Sequence, residues 1–232
     1  MNPSLPPPLL HASLKTLLYD HEIEIEKIKK SRFIAYAFSL SQHRVQEQSD
    51  SDLVKVLLKK IQDLHPQASH LVWAYKGLPH EEGKWSDDGE PSGSGGAPIL
   101  KVIEGLELSY VLVGVIRYYG GTQLGKGGLA RAYSQAAQAC LKEQETEILI
   151  PRVDLTLTFG YELEPRIHYL LPRFKSWIID RQYTNQVCFT ISSPQDQGEV
   201  LCALLVEYSA GALVWNISLP YYGLGALTSL AD

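Results

Sequence analysis

Residues 110–131, with the sequence YVLVGVIRYYGGTQLGKGGLAR, decide how the surrounding chain folds. Their first part, Tyr110 to Ile116, is an unbroken apolar run of the kind found in a strand of a covered sheet. The next fifteen residues, Arg117–Arg131, hold three cations, five glycines and no acid, and they lead into an Ala-rich segment. This order predicts a buried strand, a basic turn and a helix whose N-terminal amides and positive dipole end favour an anion.

The segment Arg117–Arg131, called the basic turn below, is the predicted anion or nucleic-acid site. Its helix dipole alone contributes only ~0.3–1 kcal/mol to holding an anion, so the cations must add the rest. Part of it matches a P-loop, but Gly127 stands where a hydroxyl residue would hold Mg²⁺, which argues against an NTPase. The alternative is that the glycines bind nothing and only allow the strand and the helix to cross closely, because glycine tolerates positive φ and close packing. The candidate residues are Arg117, Tyr118, Gly120, Gly121, Lys126, Gly127, Gly128 and Arg131.

The segment SDDGEPSGSGG at residues 86–96, called the acidic loop below, is the second candidate. Its clustered carboxylates are suited to holding Mg²⁺ or Ca²⁺, or to acid and base catalysis. A solvated turn is the alternative interpretation. These acids are also placed to pair with Arg117 or Lys126 and so order the two loops against each other. The candidate residues are Ser86, Asp87, Asp88 and Glu90, and whether they bind a metal is left open.

The composition limits the partners and the cellular compartment that we expect for this chain. The chain has 232 residues and a net charge of −5, so a polyanion would have to be met by a local basic patch. Three cysteines without a C-x-x-C pair predict buried thiols in a reducing compartment. No apolar run approaches the ~18 residues of a membrane span. We therefore expect a cytoplasmic protein with no membrane partner and no cofactor, and the oligomeric state stays open.

Periodicity predicts an α+β protein of two domains. The first, at 15–148, follows a Pro-rich tail at 1–14 that we expect to be disordered. The second, at 151–220, shows the order β-α-β-β-α-β, which is that of a ferredoxin-like domain. The boundary is expected near Ile150-Pro151, and residues 221–232 are expected to be a tail.

The acidic loop, extended to Leu100, and the segment Val115–Tyr133 together resemble the signature of the YigZ/IMPACT family. Segments 30–35 and 70–75 are similar to family segments at corresponding places. The resemblance implies a first domain like domain 2 of ribosomal protein S5. It also implies a ferredoxin-like second domain similar to domain V of elongation factor G. Eukaryotic relatives with an added N-terminal module regulate translation. Because we expect only a short Pro-rich tail at that place here, the interaction of that module is not carried over.

The resulting hypothesis is a translation-associated regulatory protein that binds RNA, the ribosome or a translation factor through the basic turn. The rival hypothesis is an enzyme that acts on a phosphorylated or anionic small molecule, with Lys126 and Arg117 holding the anion. In that case Asp87, Asp88 or Glu90 would hold a metal or move a proton. A protein-interaction scaffold is the third possibility. We expect no catalytic residues, although an enzyme is not excluded.

Overall fold

The computed structural model describes residues 14–43, 49–78, 81–218 and 220–224. The predicted tail at 1–14 falls almost wholly outside these residues, as do positions 225–232 of the tail predicted at 221–232. The chain divides between Glu147 and Ile148 into an N-terminal unit from Lys15 and a C-terminal unit. Both units combine helices with an antiparallel sheet, which confirms the predicted α+β class.

The first unit is built on a five-stranded sheet in the order β2-β3-β6-β4-β5, and every neighbouring pair is antiparallel. Its elements, with β1 beginning one residue before the unit, are β1 (Leu14–Leu17), β2 (His21–Glu24), β3 (Arg32–Ser39), α1 (Leu40–His43), α2 (Asp50–Leu64), β4 (His70–Lys76), β5 (Lys84–Ser86), α3 (Gly96–Gly105), β6 (Val111–Tyr118) and α4 (Lys126–Leu141).

The central strand β6 is covered on both faces, as its apolar run predicts. Val113 and Val115 belong to a core that also contains residues of α3 and α4, among them Ile103 and Tyr133. Gly114 points to the other face, where a Cβ would lie 2.7 Å from Cδ1 of Ile61 in α2. Since side chains alternate along a strand, α2 and the α3–α4 pair cover opposite faces of the sheet.

The C-terminal unit contains β7 (Thr146–Phe159, of which 146–147 belong to the first unit), a 3₁₀ turn (Tyr161–Leu163), α5 (Glu164–Leu170), a second 3₁₀ turn (Leu171–Phe174), β8 (Trp177–Tyr183), β9 (Val187–Pro194), α6 (Gln195–Tyr208), β10 (Val214–Ile217) and β11 (Tyr221–Leu224). Its strands belong to a six-stranded sheet in which β7, β9 and β8 lie side by side in that order and β1, β10 and β11 each pair with β7. The pairs β10–β7, β7–β9 and β9–β8 are antiparallel. Apolar side chains of α5 and α6, including Ile167 and Leu201, pack with Leu155 and Phe189 of the sheet.

Two short strands correct the sequence expectations. Tyr221–Leu224, expected to begin a tail, form β11 and pair with β7, because Tyr222 is buried and the Tyr221 hydroxyl donates to Asp154. Ser86, expected to open the acidic loop, is instead the last residue of β5, which pairs with β4. Four residues or fewer carry too little periodicity to be recognised as a strand.

Two further findings concern the class of protein. All three cysteines are free thiols, as predicted, but only Cys140 and Cys202 are buried, whereas Cys188 is half-buried. Burial raises the pKa of Cys140 and of Cys202 to about 12. Within the described part of the chain, no helix combines the length and apolar character that a membrane crossing needs.

Candidate functional site

The basic turn does not form one continuous surface, because its first two residues lie within β6. Strand alternation sends their side chains to opposite faces of the sheet. Arg117 is buried on the α4 face, whereas Tyr118 lies on the α2 face, where its hydroxyl is 2.8 Å from Nδ1 of His65. The exposed cations of the turn are therefore Lys126 and Arg131, not Arg117.

A buried ion pair joins the acidic loop to the basic turn. Nη1 of Arg117 donates to Oε1 of Glu90 at 2.5 Å, and the two side chains are only 5% and 4% exposed. The hydroxyl of Tyr133, in α4, donates to the same carboxylate oxygen at 2.7 Å. Burial and the neighbouring Glu90 raise the pKa of Tyr133 far above its usual value, so this hydroxyl keeps its proton and acts as a donor. Three segments of the chain thus meet at one carboxylate.

Ser31, just before β3, extends this buried cluster. Its hydroxyl accepts a hydrogen bond from the Gly120 N–H at 3.2 Å and lies 3.4 Å from Nη2 of Arg117. Gly120 passes so close to the preceding turn that a Cβ there would lie 2.1 Å from the carbonyl carbon of Lys30. No side chain fits at this crossing, so glycine at position 120 is a steric requirement.

The carboxylate of Asp87 organises the acidic loop from within. It accepts backbone hydrogen bonds from Gly93 at 2.6 Å and from Gly95 and Gly96 at 2.9 Å. The last two amides open helix α3, so Asp87 caps this helix from eight and nine residues away in the sequence. A carboxylate engaged in this way holds the loop in shape.

Asp88 fastens the loop to strand β4. Its Oδ2 accepts from the Leu71 N–H at 2.6 Å, and its carbonyl accepts from Nδ1 of His70 at 2.7 Å. The amide of Asp88 in turn donates to the Ser86 hydroxyl at 3.2 Å. The second ring nitrogen of His70 lies 3.9 Å from Oε1 of Glu90, which places this histidine at the rim of the buried cluster.

The three carboxylates of the acidic loop therefore serve three different partners: backbone amides for Asp87, strand β4 for Asp88 and Arg117 for Glu90. Among residues 14–43, 49–78, 81–218 and 220–224, no group of three His, Cys, Asp or Glu side chains is placed to hold a metal ion. Of the roles expected for these acids, the contacts fit the pairing with Arg117, by which the acidic loop and the basic turn are held against each other.

The start of α4 is the part of the basic turn that faces solvent. Gly125, at φ 69°, is the N-cap residue of the helix and has no side chain of its own to cap the first amides. Lys126, Gly127 and Arg131 are exposed, and neither cation has an acid partner among the residues that the structure describes. The preceding Tyr119 is also exposed, at 49%. This surface can offer amides, two cations and an aromatic ring to a ligand.

Sequence reasoning missed Tyr133 and Ser31 as members of the buried cluster. In the sequence, Tyr133 lies among the apolar residues that follow the basic turn, and Ser31 lies in the short segment before Phe33. Their hydroxyls meet groups 43 and 86 residues away, respectively, and no local pattern reports contacts at such separations.

The chain is similar in sequence and in structure to known proteins. Residues 29–141 match the Impact N-terminal domain family. The chain is 33% identical over 192 residues to an IMPACT family member of Haemophilus influenzae, covering 82% of this chain and 89% of that one. It is 31% identical over 193 residues to the IMPACT family member YigZ of Escherichia coli, covering 82% and 90%. A crystal structure of a hypothetical protein, 30% identical, matches it with a TM-score of 0.64 over 89% of this chain and 97% of that chain.

Proposed function

Because the chain belongs to the IMPACT family, we propose that it is a translation-associated regulatory protein that binds RNA, in solution or on the ribosome, through the start of α4. The observation that carries the proposal is the pair of exposed cations, Lys126 and Arg131, which lack acid partners in the described residues. In a chain with a net charge of −5, the stretch from Val111 to Lys142, which contains no acid, is a local exception. Its chemistry suits phosphate groups.

The local backbone supports the same ligand. Helix α4 has sixteen residues, and its N-cap residue, Gly125, provides no side chain to cap the first amides. Such amides, with the positive end of the helix dipole, favour a phosphate oxygen. The exposed ring of Tyr119 adds a surface on which an unpaired base can stack. We therefore favour single-stranded RNA over duplex.

We also propose that the first unit is like domain 2 of ribosomal protein S5 and that the second is ferredoxin-like, similar to domain V of elongation factor G. The strand order β10-β7-β9-β8, all antiparallel and interleaved with α5 and α6, supports the second assignment. A cytoplasmic location fits the three free cysteines, since thiols persist in reducing compartments.

The test is fluorescence anisotropy with a labelled single-stranded RNA at several salt concentrations. Two phosphate contacts predict a slope of about −1.4 in log affinity against log salt, or about sevenfold weaker binding at 200 mM than at 50 mM. The double variant Lys126→Glu/Arg131→Glu should abolish most of this dependence. The matched control is Lys59→Glu, an exposed cation on α2 at the opposite face of the sheet.

Binding that persists unchanged in Lys126→Glu/Arg131→Glu would remove this site from the proposal. The absence of salt-dependent binding to RNA and to purified ribosomes would overturn the proposed function itself. Circular dichroism of each variant should match the parent protein, because both substituted side chains are exposed.

A further inference from the structure

A groove of about 860 Å³ runs between α3 and α4 on the outer side of the first unit. One wall of the groove is formed by α3 and the residue that follows it, through positions 98, 101, 102, 105 and 106. This spacing of three and four is that of one helix face. The lining from α4 follows the same rule, at 130, 131, 134, 135, 138 and 142. Two neighbouring helices thus turn one face each towards solvent and share a groove.

The floor of the groove is apolar and carries small side chains. Val102 and Ala130 are half-buried, and Leu106 remains 37% exposed at the end of α3. Small residues at 105, 130 and 134 (Gly, Ala and Ser) leave room for another backbone to approach closely. An apolar strip between two helices, with small side chains along it, has the shape that receives a third helix.

The rim of the groove is basic and rich in amides. Lys101, Arg131 and Lys142 line it together with two glutamines, and no lining residue is an acid. Lys142 lies 3.3 Å from its neighbour Glu143 in an exposed pair, which has little energetic weight. Lys101 and Arg131 have no ion pair among the residues that the structure describes. The net charge of the rim is therefore positive in an acidic protein.

We propose that this groove is the docking site for an amphipathic acidic helix of a partner protein. Its apolar face packs on Val102, Ala130 and Leu106, and its carboxylates meet Lys101 and Arg131 across the rim. The glutamines on the same face of α4 supply hydrogen bonds that set the register of the incoming helix.

A protein helix fits the groove better than RNA does. The basic rim would attract either ligand, but the aliphatic floor, with no aromatic lining residue, suits the apolar side chains of a helix and offers no ring on which a base can stack. The start of α4, with Lys126 and Tyr119, offers the RNA features instead. Arg131 is common to both surfaces, so partner binding and RNA binding should compete at that residue.

The experiment uses the full chain and a designed peptide of about 20 residues, long enough to form a helix. The peptide carries Leu and Ala at helical spacing and Glu elsewhere. A second peptide of the same composition distributes the apolar residues evenly around the helix. Affinity is measured by fluorescence anisotropy, and the site is located by backbone amide NMR shifts. We expect binding of the first peptide, with shifts at Val102, Ala130 and Gln138, and at least tenfold weaker binding of the second.

Charge reversal separates this proposal from the RNA proposal. Lys101→Glu, at a residue outside the RNA surface, should weaken peptide binding about fivefold and leave RNA binding within twofold. Lys126→Glu, outside the groove, should do the reverse, and Lys59→Glu should leave peptide binding within twofold. Equal affinity for the two peptides, or NMR shifts outside the α3–α4 groove, would overturn the proposal. So would shifts at Val102 and Ala130 on adding single-stranded RNA in place of the peptide. Loss of RNA binding with peptide binding intact would refute only the proposed function.

Discussion

The buried pair of Glu90 and Arg117 makes the sharpest prediction about how the site is held together. Replacing Glu90 by Leu leaves the Arg117 guanidinium in a place where its side chain is only 5% exposed. Water cannot replace the lost carboxylate there. Removing one partner of a buried ion pair costs about 3–5 kcal/mol of unfolding free energy. The Tyr133 hydroxyl loses its acceptor as well, which contributes about 1 kcal/mol of that loss.

The assay is hydrogen exchange with mass spectrometry across a urea titration of the full chain, read from peptides that cover β6. This local readout is needed because the chain has two compact units, so a single global transition is not assured. Tyr133→Phe measures the hydroxyl alone, since its edge-on contact with Phe33, at 5.4 Å between ring centroids, is kept.

A double-mutant cycle decides whether the pair acts as a unit. Arg117→Met leaves Glu90 buried without its cation and should also be strongly destabilising. The variant Glu90→Leu/Arg117→Met removes both charges and should be at least 2 kcal/mol more stable than the sum of the single losses implies. If the single losses simply add, Glu90 and Arg117 are not energetically coupled, and the reasoning about this cluster is wrong.

The remaining predictions concern three other positions. Gly120→Ala should lower the unfolding free energy by about 3 kcal/mol or more, whereas Gly127→Ala should raise it by up to about 1 kcal/mol, both measured by urea denaturation. Burial raises the pKa of Glu147 from 4.5 to about 7, so the native state holds this proton more tightly and stability falls as the pH rises across that window. Glu147→Gln should therefore stabilise the protein by about 1 kcal/mol at pH 8, after a discount for partial exposure, and have little effect at pH 4, as followed by thermal melts. Arg152→Ala should cost about 3–5 kcal/mol in urea denaturation, because the fully buried guanidinium donates to the hydroxyl and carbonyl of Ser192.

Each of these has an outcome that contradicts it. Equal effects of Ala at positions 120 and 127 would mean that the crossing at Lys30 tolerates a side chain. A pH-independent gain from Glu147→Gln would show that its carboxyl titrates normally. Since burial lowers the pKa of Arg152 only to about 10, that side chain stays charged at neutral pH. A mild loss in Arg152→Ala would then mean that its hydrogen bonds contribute little.

Local patterns predicted most elements because their signals are short-range. The apolar run at 110–116 lies almost wholly in β6, and the Ala-rich segment after the basic turn forms α4. The predicted order of elements in the second domain matches β7 to β10. Each of these features depends on residues within a few positions of one another, where periodicity and capping act directly.

The site was harder to predict because its main contacts are distant in the sequence. A charged residue beside glycines is typical of a solvent-exposed turn, and Arg117 matched that pattern. In the structure it continues β6, opposite Phe33 in β3 and His70 in β4. The fold can bury this charge because Arg117 pairs with Glu90, which lies 27 residues earlier in the sequence. The sequence indicated that acids and cations could pair, but not which of them would be buried.

The way Asp87 holds the glycines bears on how the first unit folds. Its hydrogen bonds close segments of only six to nine residues, whereas the contacts of Arg117 with Glu90 and Ser31 span 27 and 86. The entropic cost of closing a loop rises with its length. We therefore expect the Asp87 cap to form early in refolding and the buried ion pair to close late, an order that pulsed hydrogen exchange at Gly95 and at the amides of β6 would resolve. On this expectation, a stretch that resembles a ligand loop would act in refolding as a local nucleus for the first unit.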